Sequence, residues 1–134
     1  YGEEFGQIGG AGPDSKRDMK FQKELSKLEQ RLQTRVSKLN LIRKNYPSLS
    51  VGDFMVLREG ERYAVWLKSY FNERTLILFN LQNKSIEINA ALPFPAHKLI
   101  SLLDKKEIRL DNSNIANLVM PPNSSNIYIL EMDE

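Results

Sequence analysis

Two hydrophobic periods divide this chain. Between residues 20 and 45, Leu25, Leu28, Leu32, Val36, Leu39 and Ile42 recur at spacings of three and four. That draws one apolar stripe down a helix. Phe21 and Leu41 widen its ends, and Lys, Arg, Gln and Ser fill the rest. Pro47 ends the element near Asn45, because a residue before proline is pushed out of helical geometry. From residue 50 the period becomes two. Phe54–Leu57, Arg62–Lys68, Arg74–Phe79, Ser85–Asn89, Lys98–Leu103, Glu107–Leu110, Ile115–Val119 and Asn126–Leu130 each read as a short strand. Short strands with frequent turns imply a mainly β fold. We expect an antiparallel β-sandwich of about eight strands, Greek-key type, preceded by a loop and one long amphipathic α-helix. Residues 69–73 read as a loop, and Trp66, in the strand before it, as a core residue.

The first eighteen residues carry neither period. Gly6, Gly9, Gly10, Gly12 and Pro13 interrupt them too often for a helix or strand. The chain also opens on Tyr1 rather than Met, which reads as the inside of a longer polypeptide.

Composition narrows the chemistry. A hydrophobic share of 41% and a charged share of 27% are those of an ordinary globular chain. The absence of Cys excludes disulfides, a thiolate nucleophile and Cys-based zinc sites. The redox compartment stays open. His97 is the only histidine, and no G-x-S-x-G stretch accompanies it, so a Ser-His-Asp relay is not expected and His97 reads as a surface residue. Neither phosphate-binding glycine pattern occurs, which removes a nucleotide site. Asp111-Asn112-Ser113-Asn114 lacks the glycine and terminal Glu of a calcium loop and reads as a turn. No cofactor and no metal are expected. Charge is unevenly placed: from Lys16 to Lys44, ten Lys and Arg face only Asp18, Glu24 and Glu29. Such a helix can grip phosphates, but the cations spread around the polar face without interleaved aromatics, so a solvated face is the expected role.

Several phrases in order carry a resemblance. They are Tyr1-Gly2-Glu3-Glu4-Phe5-Gly6, then Gly12-Pro13-Asp14-Ser15-Lys16-Arg17-Asp18-Met19, then Leu41-Ile42-Arg43-Lys44-Asn45-Tyr46-Pro47-Ser48-Leu49. Gly52-Asp53-Phe54, Leu102-Leu103-Asp104 and Met120-Pro121-Pro122 follow. Together they resemble the C-terminal part of a glycoside hydrolase family 13 enzyme, the α-amylase superfamily, in its neopullulanase and cyclomaltodextrinase branch. The resemblance implies that residues 1–46 are the last loop and last helix of a (β/α)8 barrel. Residues 47–134 are then the C-terminal β-sandwich called domain C. It implies an accessory, non-catalytic role on α-glucans, with the catalytic carboxylates of a retaining α-glycosidase upstream of Tyr1. The partner implied is the missing barrel of the same polypeptide, with α-glucan as a further ligand. No membrane and no nucleic acid are expected.

Site residues follow from the same resemblance. Glu3, Glu4, Asp14, Lys16 and Arg17 would lie near substrate in the parent enzyme. Glu3 and Glu4 can equally serve as loop packing beneath the barrel mouth. The chain departs from the branch where an Asp and an Arg commonly hold a sugar: Gly12 and Lys16 stand at those places. A lysine does not reproduce the planar fork of arginine. Tyr70 and Phe71, aromatic residues at a hairpin tip, would contact either sugar or a neighbouring domain. Two rival readings remain: a stand-alone carbohydrate-binding or interaction module, and a nucleic-acid binder acting through the basic helix. Pairing of two isolated chains along the leucine seam of helix 20–45 is a further expectation.

Overall fold

The computed structural model describes residues 2–9, 12, 18 and 20–132. The chain divides into two compact units, Tyr1–Asn45 and Tyr46–Glu134.

Among its described residues, the first unit holds the short 3-10 turns Glu3–Phe5 and Gln22–Glu24 and helix α1, Lys27–Asn45. The helix begins at Lys27, later than the hydrophobic spacing predicts. The cause is a capping box inside the periodic run. Ser26 Oγ accepts the Glu29 N–H at 3.3 Å, and Glu29 Oε2 accepts the Ser26 N–H at 2.7 Å. Two N–H groups that the first helical turn leaves orphaned are thereby satisfied. Leu25, just before the cap, is extended and buried rather than helical. Along α1 itself the predicted stripe is largely uncovered: Leu28, Leu32, Leu39 and Leu41 are exposed, and only Ile42 is buried.

The second unit opens with helix α2, Pro47–Val51, whose proline occupies the first turn. Tyr46 before it is extended (φ −120°, ψ 97°), as a residue preceding proline should be. Eight strands follow: β1 Asp53–Gly60, β2 Tyr63–Tyr70, β3 Glu73–Asn80, β4 Ile86–Ala91, β5 Lys98–Ser101, β6 Glu107–Arg109, β7 Ile115–Met120 and β8 Ser124–Glu131. All eight lie where alternation places them. They form a six-stranded sheet, β1-β2-β3-β8-β5-β6, and a two-stranded sheet, β4-β7, every pair antiparallel. The last strand returns between β3 and β5, which gives the sandwich its non-local closure.

The core lies between the two sheets. Alternate residues of the large sheet, Val65 and Leu67 on β2 and Leu76 and Leu78 on β3, meet Ala90, Ala116 and Leu118 of the small one. Asn80 closes one end of this core without exposure. Its Nδ2 donates to the carbonyls of Lys84, Met120 and Pro121 at 2.8–3.1 Å, and its Oδ1 accepts the Gln82 N–H at 3.0 Å. One buried amide thus satisfies the turn after β3 and the end of β7 together. At α2, the hydroxyls of Ser48 and Thr75 bond at 2.9 Å, both fully buried, and Glu73 Oε1 accepts the Ser48 N–H at 2.7 Å. The Asp111–Ser113 segment is an Asx turn: Asp111 Oδ1 accepts the Ser113 N–H at 3.0 Å and also its hydroxyl. These bonds hold the Asp111 carboxyl below its usual range.

Candidate functional site

Glu3, Glu4 and Phe5 form one 3-10 turn between two glycines in left-handed geometry, Gly2 (φ 88°) and Gly6 (φ 72°). Each glycine is required twice over. A side chain is strained at those angles. A Cβ on Gly2 would also stand 2.6 Å from Gln7 Oε1, and one on Gly6 2.9 Å from Leu32 Cδ2. The loop therefore lies directly against α1, with Phe5 buried as its anchor. Gln7 Nε2 donates to the Asp18 carbonyl at 3.3 Å, tying the two ends of the loop together.

That arrangement sends both carboxylates outward. Glu3 and Glu4 are exposed. Successive residues of a 3-10 turn point about 120° apart around its axis, so the two groups diverge. Retaining glycoside hydrolysis needs two carboxyl groups about 5–5.5 Å apart across one bond, and a diverging neighbour pair does not provide that. Asp14, Lys16 and Arg17 lie outside the described residues. A hollow of about 580 Å³ opens beside the turn, lined chiefly by Phe5, Gln7, Ile8, Leu28 and Leu32 with Lys20 and Glu29 at its edge. Lys20 Nζ binds Glu29 Oε1 at 2.8 Å. The Lys20 ammonium first, and the Ser26 N–H next, lower the Glu29 carboxyl to about 2.

The basic residues of α1 are exposed, and Lys27, Arg31, Arg35 and Lys38 recur at helical spacing along one stripe. No aromatic side chain stands within α1, where a nucleic-acid reader would stack bases.

In the second unit, residues 69–73 are not a loop. Strand β2 runs through Tyr70, which pairs with Glu73, and the turn is only Phe71-Asn72. Phe71 sits at φ 48° and is 80% exposed. Its ring meets that of Tyr70 edge-on at 4.7 Å. Arg74 braces the tip by donating to the carbonyls of Phe71 and Glu73, and its guanidinium lies 4.5 Å from the centre of the Phe94 ring. The aromatic tip is thus held out from the fold by its own backbone.

Trp66 is not a core residue. The strand phase that buries Val65 and Leu67 turns Trp66 to the other face of the large sheet. There it packs edge-on between Phe54 (5.3 Å) and Phe79 (4.9 Å) and stays half-buried. His97 lies at the surface beside Glu131 at 3.3 Å, and Lys98 bonds Glu131 at 3.0 Å and Glu107 at 3.4 Å. The Glu131 carboxylate raises the Lys98 ammonium, and that bond in turn lowers Glu131. Ion pairing at an exposed sheet edge accounts for this cluster. Among the described residues, no group of three or more His, Asp or Glu is placed to hold a metal ion, and no helix is long and apolar enough to cross a membrane.

No family model matches the chain. A cyclomaltodextrinase of Geobacillus thermopakistaniensis (strain MAS1) is 27% identical over 133 residues, covering 98% of this chain and 22% of its own length. Among solved structures, an Anoxybacillus α-amylase superimposes with a TM-score of 0.86 at 29% identity, covering this chain completely and 28% of its own. The α-amylase of Geobacillus thermoleovorans, solved with acarbose, gives 0.85 at 27% identity, again covering all of this chain and 29% of its own. The chain therefore spans between about a fifth and a third of the length of these relatives.

Proposed function

We propose, from the premise that this chain is homologous to a short C-terminal portion of α-amylase-family (glycoside hydrolase family 13) enzymes, that it is the accessory part of such an enzyme and performs none of its bond cleavage. In this reading residues 1–46 complete a catalytic barrel supplied by the same polypeptide, and residues 47–134 form the sandwich beside it. The parent enzyme hydrolyses or transfers α-glucosidic bonds with retention, through a covalent glycosyl intermediate on carboxylates outside these residues.

One observation carries the reading. Glu3 and Glu4, the acidic residues of the described 3-10 turn, diverge in solvent, whereas the chain as a whole aligns with a fraction of glycosidases several times its length. The loop then serves as a rim: Phe5 pins it to α1, and Glu3 and Glu4, with Asp14, Lys16 and Arg17, face substrate without reacting with it. The Tyr70–Phe71 tip is assigned a contact with another part of the same protein.

The test is direct. The purified 134-residue chain, incubated with maltooligosaccharides or cyclodextrins, is expected to release no sugar, while the complete reading frame that contains it does. Cleavage by the pure chain would overturn the reading, as would a complete reading frame with no activity on α-glucans.

A further inference from the structure

Three turns meet at the Asn80 end of the sandwich: residues 61–62 between β1 and β2, 81–85 between β3 and β4, and 121–123 between β7 and β8. Hydrogen bonds tie them into one rim. The Leu81 N–H donates to the Arg62 carbonyl at 2.8 Å, and Gln82 Nε2 donates to the Glu61 carbonyl at 3.0 Å. The Asn123 N–H donates to the Gln82 carbonyl at 3.0 Å, and Asn123 Nδ2 donates to Asn83 Oδ1 at 3.2 Å. From the buried side, Asn80 holds the middle turn through Gln82 and Lys84. The rim borders a hollow of about 360 Å³, lined by Glu61, Arg62, Gln82, Asn83 and Lys84. That volume falls within the ~300–1,000 Å³ of small-ligand sites.

Two features separate this hollow from an ordinary meeting of surface turns. The first is backbone strain. Arg62 stands at φ 62°, a left-handed position that glycine or asparagine fills at little cost. Strain of this kind persists where the side chain it carries has a use. The second is unspent bonding capacity of both kinds. Among the described residues, the Glu61 carboxylate, the Arg62 guanidinium and the Lys84 ammonium face one hollow without an ion pair. The amides of Gln82 and Asn83 each spend one end on the rim, which leaves the Gln82 Oε1 acceptor and the Asn83 Nδ2 donor.

We infer that this hollow binds a short stretch of α-glucan through its neighbouring hydroxyls. The inference rests on the functional reading above, and it adds a sugar site on the sandwich itself. The chemistry selects the ligand. A hydroxyl both donates and accepts, so a pair of adjacent hydroxyls uses Arg62, Lys84 and Asn83 as donors and Glu61 and Gln82 as acceptors. An inorganic anion only accepts, and it would meet the Glu61 carboxylate. The pinned turns hold these groups before the ligand arrives, which lowers the ordering cost of binding.

The test is an amide-shift titration of the 134-residue chain by NMR with maltopentaose, repeated with sodium phosphate. Maltopentaose is expected to shift the amides of residues 61–62 and 82–84 together, with one Kd. Phosphate is expected to leave them in place. Arg62→Asn suits the left-handed turn and so keeps the fold, and it is expected to weaken binding roughly tenfold, the usual loss for a hydrogen bond to a charged group. Glu61→Gln, which keeps the shape and removes the charge, gives a second and independent reading with a loss in the same direction. No shift at the hollow would overturn the proposal. So would an unchanged Kd in both variants, or phosphate acting at the same amides, because the hollow would then be an anion site. Sugar release by the complete reading frame is measured alongside. Shifts at the hollow without sugar release would count against the glycosidase reading and support the site, whereas sugar release without shifts would overturn the site alone.

Discussion

Leu78 on β3 and Leu28 on α1 are the same residue at positions that obey their local hydrophobic period equally well. Leu78 is 1% exposed and Leu28 is 74% exposed. The sandwich closes its inner core within its own residues, whereas the helix of the first unit carries an apolar stripe that the unit does not cover. Periodicity specifies which face seeks burial. It does not say whether the chain at hand supplies the cover. The outer face of the large sheet repeats the lesson inside the sandwich: Trp66 obeys the strand period and still looks away from the core.

The sharpest way to break this contrast is to truncate the two leucines. Leu78→Ala is expected to destabilise the sandwich by about 3 kcal/mol, the usual range for a buried leucine. Leu28→Ala should stay within about 0.5 kcal/mol, as at exposed positions. Urea melts of the 134-residue chain measure both, and similar losses would erase the distinction. Asn80→Ala comes next. It removes the Nδ2 donor from the carbonyls of Lys84, Met120 and Pro121, of which Met120 keeps the Ser85 hydroxyl and Pro121 the Ser124 hydroxyl, and leaves a buried gap, with an expected loss of about 2 kcal/mol. A neutral result would mean that water replaces the amide.

Smaller effects sharpen the picture at the helix. Ser26→Ala removes the cap of α1 and is expected to lower helix stability by about 1 kcal/mol, read as reduced helical dichroism. The paired carboxylate gives this cap a pH signature. Glu29 is held down to about 2 in the folded chain, against 4.5 for a free group. Its support of the helix is therefore complete above pH 4.5 and is lost as pH falls toward 2. Glu29→Gln should remove that acid step from the dichroism curve while leaving the neutral-pH helix largely intact. Smallest of all, Phe71→Asn should raise the melting point of the isolated chain by the equivalent of a few tenths to about 1 kcal/mol, because asparagine tolerates φ 48° better than phenylalanine does. A fall instead would show that the Tyr70–Phe71 ring contact outweighs the backbone strain.

Much of this was legible in the residues. Turn chemistry bounds all eight strands, and clean alternation as in Ser85-Ile86-Glu87-Ile88-Asn89 fixes the phase of β4, whereas Leu76-Ile77-Leu78-Phe79 on β3 is apolar throughout and leaves its inward residues to be found in the structure. The start of α1 was hidden, since Leu25 extends the helical spacing by coincidence while Ser26 and Glu29 already announce a cap. The hairpin tip at Phe71 was legible, but its tightness was not: left-handed turn positions favour glycine or asparagine, and a phenylalanine there gives no signal for a two-residue turn. Trp66 was misplaced because a large aromatic residue suggests a core, although counting from Val65 and Leu67 would have turned it outward. The loop motif was recognisable as a phrase, but its physical reason needs the structure. Gly2 and Gly6 appear as requirements only once their angles and the closeness of Gln7 and Leu32 are seen.

The most direct measurement of the central claim, that these residues form part of a larger folded whole, is amide hydrogen exchange compared between the 134-residue chain and the complete reading frame. In the complete protein the amides between Leu32 and Leu41 should gain protection of roughly a hundredfold or more as the helix is covered, while those of Leu76–Leu78 in the closed core change little. Equal protection of α1 in both settings would contradict the account.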